Sequence, residues 1–154
     1  ESFFAHMEEI DLCWRFWKQG FSVWVEPQST VYHLGAGTLS KTSPKKTFLN
    51  YQNGLAMLFM NSTSSQLFWK IPLRLVLDGI AGLKYIYHGE WNNCWAISRA
   101  HMAFYGKAGY WMNRRKDAWR ADSHTIPSSV FLPDSVLPAY FFHGKKWFSQ
   151  IMKS

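Results

Sequence analysis

From residue 47 onward the apolar residues of this chain return every three or four positions, and that period leaves a helical assembly as the main solution open to it. Phe48, Tyr51, Leu55, Leu58 and Phe59 mark one face of a helix over Thr47 to Met60. Asn61-Ser62-Thr63-Ser64-Ser65 then forms a polar break. Pro72, a residue suited to the first turn of a helix, opens a second segment that runs to His88. This segment is the most membrane-like of the chain, yet Arg74, Asp78 and Lys84 interrupt it, and a spanning helix needs about 20 nearly uncharged residues. Arg74 and Asp78 stand four apart and give the helix a polar stripe. It therefore lies in a bilayer interface, anchored by Trp69, Tyr85, Tyr87 and Trp91, or packs in an ordinary bundle.

A third helix is expected over Trp91 to Met112, with Trp91, Cys94, Trp95, Met102 and Tyr105 spaced for a packed face. Asn113 to Ser123 is polar and basic, a solvated end or a lipid-headgroup contact. Residues 124–139 read as extended. Ala139 to Met152 sets Tyr140, Phe141, Phe142 and Trp147 beside Lys145 and Lys146, as in a membrane-surface element or a docked terminal helix. Composition narrows the partners. An apolar content of 47% and nine Trp exclude a disordered chain. Lys and Arg outnumber Asp and Glu by 17 to 10, which favours a polyanion or an anionic surface. The basic groups Lys45-Lys46, Arg114-Arg115-Lys116 and Lys145-Lys146 are separated by apolar stretches and no nucleic-acid motif is present, so nucleic acid is not an expected partner. Cys13 and Cys94 have no metal or redox spacing and read as reduced, buried thiols of a cytosolic compartment.

The first forty residues carry the chemistry. In Phe3-Phe4-Ala5-His6-Met7-Glu8-Glu9-Ile10-Asp11 three carboxylates crowd into four positions beside apolar side chains. A carboxylate shielded by apolar surface is a stronger base; equally, an acidic first turn complements the dipole of its own helix. That helix is expected over residues 8 to 19, with Ile10, Cys13 and Trp17 on one side and Gly20 as its stop. Asp11 and Arg15 fall on one face as an ordered ion pair. Phe21 to Val25 reads as a strand ended by Pro27, and Val31 to Leu34 as a second strand. The loop 35–46, rich in Gly, Ser, Thr and Lys, is either a functional loop or a plain linker.

Taken together, Phe3-Phe4, Glu8-Glu9-Ile10-Asp11-Leu12-Cys13, Arg15, Gly20, Pro27 and Val31-Tyr32-His33 followed by Gly35 resemble the C-terminal end of the catalytic domain of family 2 inverting glycosyltransferases. These have the GT-A (Rossmann-like) fold, and the likeness is to their bacterial rhamnosyltransferase-like branch. The resemblance covers residues 1–40 and continues more weakly through Asn53. It implies a mostly α chain with a small α/β part, in which residues 1–40 form the edge of the GT-A domain. Residues 41–154 are then a helical, aromatic-rich, basic extension. The donor-binding half is expected upstream, so this stretch alone is expected to be inactive.

In that family the second acidic residue of the pair takes the proton from the acceptor hydroxyl. That position is Glu9, one methylene longer than the usual Asp, with Glu8 as the alternative base and Asp11 as the next acidic position. His33 matches a ligand to a divalent cation, manganese or magnesium, bound to the donor diphosphate; on its own residues it could equally be a satisfied strand-end histidine. Arg15, Gly35, Gly37 and Asn53 are the candidate substrate-binding residues, Arg15 also serving to hold the helix. The implied partners are a nucleotide-diphosphate sugar, a glycan or lipid-linked acceptor, the cytoplasmic face of a bacterial inner membrane in a peripheral association, and a further copy of the chain. The competing reading is a non-enzymatic helical module that binds a membrane surface or a partner.

Overall fold

The computed structural model describes residues 7–32, 43–121, 126 and 136–151. These residues form seven helices: α1 (Glu8–Lys18), α2 (Pro44–Asn61), α3 (Ser64–Tyr87), α4 (Trp91–Gly106), α5 (Ala108–Ala121), α6 (Val136–Phe141) and α7 (Phe148–Ile151). The chain divides into two compact units, Glu1–Ser123 and His124–Ser154. Helices α1 and α2, on either side of residue 40, belong to one unit and are joined by the hydrogen bond from Asn61 to Asp11. In the second unit α6 and α7 are joined through a turn at Gly144 (φ 63). Gln150 Oε1 closes the start of α7 by accepting from the Lys146 and Trp147 amides at 3.0 and 3.1 Å.

Helix ends follow local chemistry. Gly20 adopts φ 83 and ends α1 with a paired closure: the Gly20 amide donates to Trp17 O and the Phe21 amide to Phe16 O. The Phe16 and Phe21 rings meet at 6.1 Å over that turn. Gly89 ends α3 the same way, with the Gly89 amide on Ile86 O and the Glu90 amide on Tyr85 O. Pro44 occupies the first turn of α2, three residues earlier than the apolar spacing indicates. Pro72 is not at the start of its helix. Thr63 and Gln66, nine and six residues upstream, form a reciprocal cap, the Gln66 amide donating to Thr63 Oγ1 at 3.3 Å and the Thr63 amide to Gln66 Oε1 at 3.1 Å. That cap starts α3 early and leaves Pro72 inside it. The single helix expected over 91–112 is two, since Gly106 and Gly109 flank a break at Lys107.

No strand is present among the described residues: Phe21 to Val25 does not form the strand expected from sequence, and of the second expected strand, Val31 to Leu34, only Val31 and Tyr32 are described. Phe21 to Val25 and Val31–Tyr32 find no partner there to build a ladder, and a strand exists only by its pairing. Trp24, Val25, Val31 and Tyr32 are exposed.

The first unit is arranged around α2, in which every residue from Lys46 to Asn61 is buried or half-buried. Leu55, Ala56 and Met60 of α2 meet Phe104 of α4 and Trp111 of α5 in the core, with Phe59, Ile71 and Ala118 packed at its margin. Phe104 stacks on Trp111 at 5.9 Å. The C-terminal carbonyls of α2 have no partners in their own helix, and α5 supplies them: Trp119 Nε1 donates to Met60 O at 2.8 Å and Arg115 Nη1 donates to Phe59 O. Arg115 also lies over the Phe59 and Trp119 rings, so it belongs to this joint rather than to a solvated basic end. Burial lowers its pKa from the ordinary guanidinium value, which still leaves it charged.

Trp119→Phe keeps the ring and deletes the donor to Met60 O. Loss of about 1–2 kcal/mol in urea unfolding is expected, the cost of an unsatisfied buried carbonyl, against less than about 0.5 kcal/mol for the exposed Trp95→Phe.

Candidate functional site

The acidic run opens α1. Met7, at the N-cap, has φ 70, a left-handed conformation uncommon for a side chain of its size. Glu8 and Glu9 follow on the first turn and are exposed. Phe3 and Phe4, expected to shield them, lie outside the described residues. Asp11 is buried and does what the four-residue spacing indicates. It accepts from Arg15 Nε at 2.9 Å, and also from Asn61 Nδ2 of α2 at 3.2 Å. Asp11 is therefore an anchor that fixes α1 against the end of α2, and Arg15 is committed to it. His33, Gly35 and Gly37 lie outside the described residues. Asn53 is buried in α2 and engaged in a polar interaction, so it can shape a site but does not face one from the surface. Among the described residues no three His, Cys, Asp or Glu side chains converge to hold a metal ion.

A second constellation lies between α3 and α4, and only half of it was apparent in the sequence. Asp78 is 5% exposed. Its carboxylate accepts from Arg74 Nε, which lies 2.7 Å from Oδ1 and 2.8 Å from Oδ2. Its Oδ2 also bonds His101 Nε2 at 2.9 Å. A carboxylate can only accept, so Nε2 is the donor and Nδ1 is left as the acceptor of the neutral ring. Nδ1 is buried and has no partner among the described residues.

The Arg74 guanidinium continues onto α2, where it lies 5.4 Å from the Tyr51 ring centroid. It also passes so close to Gly54 that a Cβ there would stand 3.3 Å from Nη2, so the glycine makes room for the ion pair. Burial, and then the Asp78 charge, push the Tyr51 phenol above its ordinary range; the same causes in the same order act on the more exposed Tyr105. His101 and Tyr105 rings lie 5.9 Å apart on α4.

Asp78 and His101 lie in a cleft of about 400 Å³ whose other walls are Leu75, Leu83, Ile86 and Ile97 with Ser98 and Cys94. Gly79 and Gly82 complete it. Both are mid-helix glycines, each costing about 1 kcal/mol relative to alanine. Neither has a positive φ. A Cβ on Gly79 would meet nothing within 4 Å, and one on Gly82 would meet only Cys94 Sγ at 3.5 Å. Both Cys94 and Cys13 are free thiols of intermediate exposure rather than buried ones. No periodicity in the sequence singles out His101, since its partner stands 23 residues away on another helix; the two glycines in the turn after Asp78, Gly79 and Gly82, are the nearest signal.

Comparison with protein-family models, curated proteins and solved structures finds no match to the chain.

Two outcomes check this geometry. Asp78→Asn removes a buried charge faced by Arg74 and His101 and is expected to destabilise by about 3–5 kcal/mol. Asp11→Asn, whose partner Arg15 has a side chain 51% exposed, is expected to cost about 1 kcal/mol; equal losses by chemical unfolding would contradict the difference in burial. Tyr51 and Tyr105 hold their protons more tightly in the folded state. Their contribution is therefore complete below the unfolded phenol value of about 10 and declines as pH rises above it. Unfolding free energy measured from pH 8 to 11.5 should fall on that limb, and ultraviolet titration should show two phenols ionising above the ordinary tyrosine range.

Proposed function

We propose that the chain is the acceptor-side end and helical extension of a nucleotide-sugar-dependent inverting glycosyltransferase of family 2, working on a glycan or lipid-linked acceptor at a bacterial membrane surface. The observation that carries this reading is the presentation of Glu8 and Glu9. They stand exposed on the first turn of a helix that is clamped from behind by Asp11 to Arg15 and Asn61. A base that must meet an incoming acceptor needs access from solvent on one side and a rigid support on the other. Inverting transfer is a single in-line displacement at the anomeric carbon: the acceptor oxygen forms the new bond as the bond to the diphosphate breaks, and the acceptor proton passes to the carboxylate of Glu9, or of Glu8. In this reading His33 would help to hold a divalent cation, whose charge would offset that of the diphosphate. No set of described side chains fits such an ion, and every step assigned here to residues of the chain is independent of it.

The membrane part of the reading rests on α3. Its Arg74–Asp78 pair faces inward, while Phe68, Val76, Ile80 and Leu83 face out beside the exposed Lys84, Phe68 at 87% exposure. None of the described helices is long and apolar enough to cross a membrane, so the surface would lie along the bilayer interface. The same outward face favours the second reading, a non-enzymatic module that binds a membrane surface.

In a chain that carries the donor-binding half, Glu9→Gln should leave donor binding unchanged and lower the transfer rate about 10²–10⁴-fold, the usual share of a general base. Glu8→Gln should stay within about tenfold. Reversal of the two effects would move the base to Glu8, and absence of transfer by the unaltered protein with every sugar nucleotide tried would leave the non-enzymatic module.

A further inference from the structure

The α3–α4 cleft shares no residue with the Glu8–Glu9 edge, and the reading above leaves it unused. Three observations converge there. Its volume, about 400 Å³, falls within the range of small-molecule sites. Its walls are mostly aliphatic, with Ser98 and Cys94 among them, and the buried Asp78 there fixes the His101 ring and leaves Nδ1 without a partner among the described residues. Two glycines that neither backbone conformation nor packing requires keep one wall bare, at a cost in helix stability. Leu75 and Leu83 form a rim that is itself exposed and continuous along α3 with the outward apolar face.

We propose that this cleft binds a single hydrocarbon chain that ends in a hydroxyl or similar donor, with the chain along Gly79, Gly82 and Ile97 and the head donating to His101 Nδ1. Apolar walls favour removing a hydrocarbon from water. In its neutral form an imidazole donating through Nε2 has only an acceptor left to offer, and that form selects a donor head over a bare carboxylate. The chain could be that of a bilayer lipid or that of an isoprenoid-linked molecule; the chemistry the cleft reads is common to both. The proposal stands whether or not the protein transfers sugar.

The test uses the full chain and parinaryl alcohol, a fluorescent polyene alcohol whose emission rises in apolar surroundings. Saturable binding at micromolar concentration is expected, with the corresponding methyl ether at least tenfold weaker. Gly79→Leu fills the cleft where a Cβ meets open space; it should retain the helical spectrum, match or exceed the native unfolding temperature, and lose at least tenfold in affinity. His101→Phe, checked for folding by its spectrum, should bring the alcohol and the ether to equal affinity.

In a Cys13→Ser background the probe should slow alkylation of Cys94, which lines the cleft. Competition by lysophosphatidylglycerol or by geranylgeraniol separates the two sources, and displacement by either supports the site. The proposal is overturned if the native chain fails to bind the alcohol, if folded Gly79→Leu binds it as well as the native chain, if His101→Phe keeps the preference for the alcohol over the ether, if Cys94 is alkylated at the same rate with and without probe, or if neither competitor displaces it.

Discussion

The buried carboxylate of Asp78 sets the terms for the helices around it. It stands on α3 and accepts from Arg74 on the same helix and His101 on α4, while the guanidinium of Arg74 reaches across to Tyr51 and Gly54 on α2. A buried charge is tolerable only when its partners stay in place, so this one group fixes the rotation of α3 about its axis and the register of α3 against α2 and α4. Once the polar stripe of α3 is turned inward, the apolar residues on its opposite side face out. An exposed face bearing Phe68, Val76, Ile80 and Leu83 is therefore a consequence of the ion pair and not a separate feature of the helix.

The opposite end of α2 is held by a different device. Its last carbonyls receive Trp119 and Arg115 from α5, and its last side chain, Asn61, donates to Asp11 of α1. Lys18, at the end of α1, lies 4.5 Å from the Trp119 ring centroid, so α1 meets both α2 and α5 at this joint. Two glycine-closed helix ends, at Gly20 and Gly89, then determine where the chain leaves α1 and α3. The acidic first turn of α1 is presented by a helix secured through Asp11 and Lys18 on its later turns, which leaves Glu8 and Glu9 themselves unencumbered.

Local chemistry was readable from the residues, and the choice of inward face was not. Both i,i+4 ion pairs, the glycine stop after α1 and the polar break near residue 62 follow from spacing alone, because each is made within one or two turns of chain. The face of α4 was misjudged: Trp91, Cys94, Trp95, Met102 and Tyr105 have the spacing of a core, but Asn93, Ala96, Ile97, Ala100 and Phe104 are the buried set, while Trp95 is 59% exposed. Small residues let α4 approach α2 closely, and that approach is decided by the partner helix, about which hydrophobicity along α4 carries no information. The start of α3 was hidden for a similar reason. Its reciprocal Thr63–Gln66 cap lies inside a run of polar residues that by composition reads only as a break. His101 could not be matched to Asp78 before the helices were placed side by side.

The inverted helix and the cleft share one physical logic. A helix that turns its Arg74–Asp78 pair inward and a row of aliphatic side chains outward is arranged for surroundings less polar than water on that side, since each exposed aliphatic group forgoes about 25 cal/mol per Å² that burial would return. Gly79 and Gly82 follow Asp78 on that helix and line the cleft together with it. The same carboxylate that turns α3 also orients the His101 ring, so the polarity of the outer surface and the polarity of the cleft floor are set by one group. A substitution at Asp78 would accordingly disturb helix rotation and imidazole orientation together, whereas one at Gly79 acts on the space alone.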